Sequence, residues 1–532
     1  MKIQVRINHE GVLRNQRYAF TDRFTLISEL LQNARRSGAT KIEIHYDAPS
    51  QVLRVADNGC GIDDFQKLLS FNESGWDSST CVDEHPFGVG FSKCLYAASR
   101  CVVVSNHQRV DIDTAAALAS TPVEVVPFQP TEETTGTRIA LYGVVLPDLD
   151  ARIESLCLGF PVAVFFNGKA LERPLAQAHL ATSPSPIGAL HLKGLLDGQH
   201  SHSTMVFLQG FCVMNIGYRA PENVNVVHLD ARQFMARLPD RDKLIDEDLQ
   251  RKRIDAELKN RWRQALEVAK TDLPATDFIE IYYPAMRAWG HLDMLNDLDV
   301  LPREVCNAII GYPVQDDSGD QRYVQSVEVA PTREAVESRN VTLVALDSVN
   351  DDNAAHWMLA RARGYLVFDW TGLHVRHWVQ RYVRHLQEEA IKVQAVSEQV
   401  RSNLDGRWVW PVLVLCDAVR IALRGESVDI TGEGVYHDGC LYIPRDETTG
   451  EAVRQVSAFT DEHEKFMEVE LDADRAMLAE LIRRLRCVDA VQTLDSLLCE
   501  LRLAKYPLLH GKTFSLCVGT GSAPGHSVQE VC

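Results

Sequence analysis

ELLQNA (Glu29–Ala34), DNGCGI (Asp57–Ile62) and FGVGFSK (Phe87–Lys93) follow one another between Asp22 and Lys93, and GTRIAL (Gly136–Leu141) comes later. Each is weak alone, because glycine pairs and acidic helices are common. Their order and spacing on an α/β pattern make the signal. Leu26, Ile27, Leu30, Leu31 and Ala34 recur at helical spacing, which predicts a helix capped by Asp22 or Thr21 and ended by Gly38. Glu29 and Asn33 lie one turn apart at the edge of its apolar face. A carboxylate there can hold a water, and an amide oxygen suits Mg²⁺, which takes oxygen ligands and keeps several waters. The plain alternative is a solvated Glu and Asn beside a core.

KIEIHY (Lys41–Tyr46) and VLRVA (Val52–Ala56) read as strands joined by a turn. Asp57 then stands at a strand end, where ligand sites of α/β sheets gather. Its carboxylate can accept from an exocyclic amine, and Gly59 and Gly61 let the backbone approach a flat base. Asp-Asn-Gly is equally ordinary turn chemistry. Gly88 and Gly90 precede a short apolar helix whose first amides, with Lys93, favour phosphate oxygens. The alternative there is a tight helix entry.

In this order the motifs resemble the ATP site of the GHKL superfamily: gyrase, heat-shock chaperones, histidine kinases and mismatch-repair ATPases. The resemblance implies an α/β (α+β sandwich) Bergerat-type domain with ATP and Mg²⁺ as cofactors. Glu29 becomes the general base and Asn33 the Mg²⁺ ligand. Asp57 is the adenine-binding carboxylate, with Gly59, Gly61, Ile62 and Thr137 around it. Gly88, Val89, Gly90, Phe91 and Lys93 serve the phosphates. Histidine kinases usually have Asn where Glu29 stands, so that branch is disfavoured. FGVGF followed by GT-x-I-x-L is most similar to the ninety-kilodalton heat-shock chaperones.

The chain has 532 residues and a net charge of −18, which argues against nonspecific coating of nucleic acid while leaving room for a local basic groove. Met1 opens no charged-then-apolar leader and no run is long enough to span a bilayer, so a cytoplasmic protein without membrane contact is expected. Thirteen cysteines, odd in number and without a C-x-x-C pair, read as reduced thiols rather than a zinc site.

The resemblance and the pattern of strands and helices together imply an ATP-binding domain over 1–175, a middle or transducer-like α/β domain over 195–290, a mixed α/β region over 291–425 and an α+β region over 426–532 that could dimerise. KIQVRI at the start reads as a strand able to join the sheet or cross to a partner, and the polar stretch 63–86, with Trp76, as a lid. Residues 177–198, rich in Ala, Pro, Ser and Gly, read as a linker. From Arg232 to Lys270, eleven Lys or Arg face eight Asp or Glu, a mixture typical of a solvated helix. LPDRDKL before that helix is similar in placement to the chaperone loop that carries an ATP-sensing arginine, which makes Arg241 the catalytic cation and Lys243 its runner-up. His374–Leu386 reads as an amphipathic helix with Trp378 and Tyr382 in the core and Arg376, Arg381 and Arg384 in solvent. Leu471–Leu503 reads as helical, a possible dimerising pair, and the last dozen residues as frayed.

The expected function is a slow Mg²⁺-dependent ATPase acting as a homodimeric, chaperone-like clamp with a protein client. The rival readings are a DNA-associated clamp of mismatch-repair or chromatin-compacting type, and an ATP-binding regulator without turnover.

Overall fold

The computed structural model describes residues 3–4, 8, 11, 13, 24–71, 73, 75–84, 88, 90–129, 136–216, 223–237, 242–314, 322–448, 450–459, 468–519 and 525–531. Met1, Lys2 and most of KIQVRI, the capping residues Thr21 and Asp22, and Phe87, Val89 and Arg241 lie outside these. The chain forms two compact units, residues 1–291 and 292–532.

In the first unit, helix α1 (Thr25–Arg36) starts at Phe24 without a side-chain cap bond and buries Leu26, Ile27, Leu30, Leu31 and Ala34. Gly38, at φ +75°, accompanies its end, and its amide donates to the Arg35 carbonyl. An eight-stranded sheet contains β1 (Lys41–Asp47), β2 (Val52–Asp57), β3 (Arg100–Ser105), β4 (Gln108–Asp113), β5 (Val125–Pro127), β6 (Thr137–Tyr142), β7 (Ala163–Phe166) and β8 (Lys169–Ala170). The strand order is β5-β4-β3-β6-β2-β1-β7-β8, antiparallel throughout except where β1 lies parallel to β7. Alternation decides which side is buried. Ile42 and Ile44 of β1 and Cys101 and Val103 of β3 point into the core, while Glu43 and His45 face outward. One core joins that face to α1, to α3 (Ser92–Ala97) and to α5 (Leu149–Cys157). Between β2 and α3 lie a 3₁₀ turn (Phe65–Leu68) and the seven-residue helix α2 (Ser78–Glu84). Helix α4 (Thr114–Leu118) is capped by Asp113.

A second sheet has the order β12-β11-β13-β10-β9, built from β9 (Ser183–Ser185), β10 (Gly188–His191), β11 (Thr204–Leu208), β12 (Phe211–Ile216) and β13 (Asn225–Leu229). The stretch expected to be a linker therefore supplies two strands. Its Ser, Pro and Gly form a hairpin turn, with Ser185 Oγ donating to the Gly188 carbonyl at 2.8 Å. The charged helix α6 (Glu247–Asp272) buries only Ile254, Leu258, Trp262 and Leu266, one stripe at helical spacing. Trp262 stacks on Trp289 of α7 (Ala275–Trp289) with centroids 6.1 Å apart.

The second unit holds mixed sheets of five and four strands and an antiparallel sheet of three, with α8 (Arg333–Glu337), α9 (Ala354–Arg363), α10 (Glu451–Ala458) and α11 (Glu468–Arg486). The turn at residues 424–425 closes an antiparallel hairpin, Ala418–Leu423 with Glu426–Ile430, whose Val419, Ile421 and Leu423 pack into one of the unit's hydrophobic clusters with Val344 and Val435. Residues 374–386 are not a helix. A 3₁₀ turn covers Trp378–Tyr382, and Arg384–His385 joins a sheet. Trp378 and Val379 are buried as expected, but Val375 and Tyr382 are exposed. Tertiary bonds override the helical period here. Trp378 Nε1 donates to the Leu298 carbonyl at 2.7 Å, and Arg384 grips Glu389 through two 2.7 Å bonds instead of standing in solvent. After α11 come α12 (Ala490–Glu500) and an antiparallel pair, Thr513–Val518 with His526–Val531, where frayed chain was expected. A six-residue ladder holds that last segment against Thr513–Val518.

Candidate functional site

The sheet topology brings three strand ends together. Asp57 closes β2, Thr137 opens β6, and Ser105 closes β3 opposite Thr137. Ser105 Oγ donates to the Gly136 carbonyl at 3.0 Å, lies 3.3 Å from Thr137 Oγ1, and accepts from the Ile62 amide at 2.9 Å. The Asp57 carboxylate accepts from the Gly59 amide at 2.9 Å and lies 3.5 Å from Ser37 Oγ at the end of α1. Burial raises its pKa above the usual carboxylate value, against the opposing pull of bonds from Gly59, Thr137 and Ser37. The half-buried Asp57 carboxylate faces the cavity.

Two glycines allow this approach. A Cβ on Gly59 would lie 1.9 Å from Ser37 Oγ, and one on Gly136 would lie 2.0 Å from the Asp57 carbonyl oxygen. Only a bare Cα lets α1, β2 and β6 meet.

A cavity of about 390 Å³ opens over these strand ends, within the range of small-molecule sites. Glu29, Asn33, Asp57, Gly61, Ile62, Gly88, Gly90, Phe91 and Thr137 all line it, as does Trp76. Gly59 stands behind Asp57 as its hydrogen-bond donor. Glu29 and Asn33 occupy successive turns of α1, as their spacing demands, and both look into the cavity.

Lys93 sits differently from its expected role. It is the second residue of the six-residue α3, and its ammonium lies 3.4 Å from Glu29 Oε1, with both side chains about 95% buried or more. It holds the Glu29 carboxylate from behind. Gly90 packs against the same carboxylate, where a Cβ would come within 2.4 Å of Glu29 Oε2. Val89 and Arg241 lie outside the described residues. Lys243 is exposed, and its carbonyl accepts from the Arg237 amide at 2.7 Å.

Besides Ser37 and Ser105, which bond Asp57 and Thr137, sequence reasoning missed Arg36, Arg35 and Gln209. Arg36, at the end of α1, lines the cavity and donates from Nε to Glu84 Oε2 at 2.8 Å. Arg35 Nη2 reaches the same oxygen at 2.5 Å. Gln209, in the β11–β12 turn at φ +54°, donates to the Glu84 carbonyl at 3.4 Å and accepts from the buried Gln32 of α1. The doublet Arg35-Arg36 shortly after Asn33 was the only available sequence signal, and nothing in the sequence paired it with Glu84.

Residues 22–136 match the family described as histidine kinase-, DNA gyrase B- and HSP90-like ATPases. This segment, with the mixed α/β sheet and cavity above, is thus an N-terminal ATPase domain of GHKL type, a class that binds ATP. No curated protein matches the chain.

Proposed function

We propose that the chain is a Mg²⁺-dependent ATPase that works as a homodimeric, chaperone-like clamp in the cytoplasm, with a protein as its client. The observation that carries the ATPase reading is the half-buried Asp57 carboxylate facing the same cavity as Glu29 and Asn33. Asp57 accepts the exocyclic amine of adenine, and the Gly59 and Ser37 contacts fix its orientation. Glu29, held by Lys93, orients the attacking water and takes its proton. Asn33 offers an amide oxygen one turn from Glu29, a donor type that fits Mg²⁺. When bound, that ion supplies charge neutralisation on the phosphates.

Arg241 is proposed as the cation that completes the site during turnover, because a planar, permanently charged fork suits phosphoryl oxygens. Arg241→Ala should leave ATP affinity near normal and cut turnover at least about tenfold, on the order of 1.4 kcal/mol. Loss of turnover in Lys243→Ala instead would move the role to Lys243. The homodimer is supported by the exposed apolar side chains after α11, among them Val488, Val491, Leu501, Leu508, Val518 and Val528, on elements too small to stand alone.

Phosphate release by the full chain tests the reading. Glu29→Gln keeps a polar partner for Lys93, so it should bind ATP and hydrolyse almost none. Undiminished turnover in Glu29→Gln would overturn the assignment. A DNA-associated clamp would instead show ATP-stimulated, steeply salt-dependent DNA binding. Light scattering with a nonhydrolysable analogue should show compaction or association, and unchanged mass and shape would end the clamp proposal.

A further inference from the structure

We propose that Arg36 is a phosphate-binding residue of the cavity and that Glu84 is its internal competitor, an anion that an incoming polyphosphate displaces from the Arg36 guanidinium, thereby weakening the tie between helices α2 and α1. The inference rests on the ATP reading for the identity of the polyphosphate.

The charge around the cavity motivates it. Glu29, Asp57, Asp63, Asp64, Glu73 and Asp77 line the wall, whereas among its described lining residues the Lys and Arg side chains are Arg36 and Lys67. Lys67 Nζ donates to the Gly75 carbonyl at 3.2 Å, which ties it to the segment before α2. A nucleotide triphosphate carries several negative charges into this acidic wall and needs a positive group that stays charged when water is excluded. A guanidinium does so and meets phosphate oxygens bidentately.

The Arg36 side chain is 2% exposed, so its charge must be paired in every state. In the structure its anion is Glu84, the last residue of α2. Burial pushes the Glu84 carboxyl up, but the bonds from Arg35 and Arg36 outweigh it and hold its pKa below the usual value, so the partner is a carboxylate near neutral pH. A buried pair of this kind contributes little net stability over apolar packing. Exchanging one anion for another keeps Arg36 paired and costs no uncompensated charge.

The same exchange has a structural consequence. Glu84 ties α2 to α1, and the Gln209 amide holds the Glu84 carbonyl from the β11–β12 turn. Moving Glu84 off Arg36 removes one of the two guanidinium bonds that tie the α2 end to α1 and leaves Arg35 as the remaining one. Phosphate arrival is thereby felt at the α2 end.

The test uses the full chain and three probes: ATP, adenosine and inorganic tripolyphosphate. Glu84→Gln removes the competing charge, so it should bind ATP and tripolyphosphate at least about fivefold tighter than wild type, with adenosine affinity unchanged. Without any ligand, its segment around α2 should be cut faster by a protease. Arg36→Gln should lose ATP and tripolyphosphate affinity while retaining adenosine, and Arg36→Lys, which keeps charge without the fork, should fall between. Equal or weaker ATP and tripolyphosphate binding by Glu84→Gln overturns the exchange. If ATP and adenosine bind but the Glu84 and Arg36 variants match wild type, the ATP reading stands and the exchange fails. If adenosine does not bind but tripolyphosphate responds to Glu84→Gln, the exchange stands and the ATP reading fails. If no probe binds, both fail.

Discussion

Gly136→Ala separates the site's geometry from the general tolerance of the fold. Gly136 has φ +92°, and an added Cβ would lie 2.0 Å from the Asp57 carbonyl oxygen, 2.8 Å from its carbon and 2.9 Å from Asn58 Cα. All three are backbone atoms, so no side chain can swing aside. The positive φ costs about 1–2 kcal/mol for a residue with a Cβ, and forcing extra volume into a packed region adds about 1–3 kcal/mol. A loss of about 2–5 kcal/mol is expected, a large share of the roughly 5–15 kcal/mol of a typical domain. Relief can come only by shifting the end of β2, which moves Asp57, so nucleotide binding should fall with stability. Gly38→Ala is the control. It has φ +75° and nothing within 4 Å of its Cβ, so it should lose about 1–2 kcal/mol and keep full binding. Urea unfolding and ATP titration of both variants check this. If Gly136→Ala matches Gly38→Ala in both measurements, the close approach of β6 to Asp57 does not organise the site.

Because burial raises the Asp57 pKa, ATP affinity should weaken as pH falls through a value above the ordinary carboxylate pKa of about 3.9. The linkage sign is opposite for stability. Asp57 contributes stability below its unfolded pKa and loses it as pH rises through the raised folded value, so Asp57→Asn should flatten that part of the stability–pH profile. Lys93→Met leaves the Glu29 carboxylate buried without its ammonium and should cost about 3–5 kcal/mol by denaturant titration, and a loss below about 1 kcal/mol would show that the pair does not hold Glu29.

The site was legible where chemistry follows local periodicity. Glu29 and Asn33 share a helix face because they are one turn apart, and Asp57 stands at a strand end because the β-prone run VLRVA precedes it. Thr137 joined them through a strand pairing that motif order implied but propensity could not show. What stayed hidden depends on long-range pairing. Lys93 turns to Glu29 and Arg36 to Glu84, and neither choice is written in local sequence. The same cause explains the two misread segments. Residues 183–191 carry linker-like composition because hairpin turns use the same Ser, Pro and Gly, and 374–386 keep a helical apolar period while Leu298 and Glu389 dictate a different backbone.

On the proposed ATP reading, Asp57 reads the amine edge of adenine inside this cavity. The most direct measurement is the affinity of the full chain for ATP against inosine triphosphate, which presents a carbonyl where adenine has its amine. A site that presents this half-buried carboxylate to the base should reject the inosine analogue by about a hundredfold or more, since the mismatch leaves the carboxylate facing an acceptor. In Asp57→Asn, the preference should collapse together with ATP affinity. Equal affinity for the two nucleotides in the unmodified protein would contradict the account.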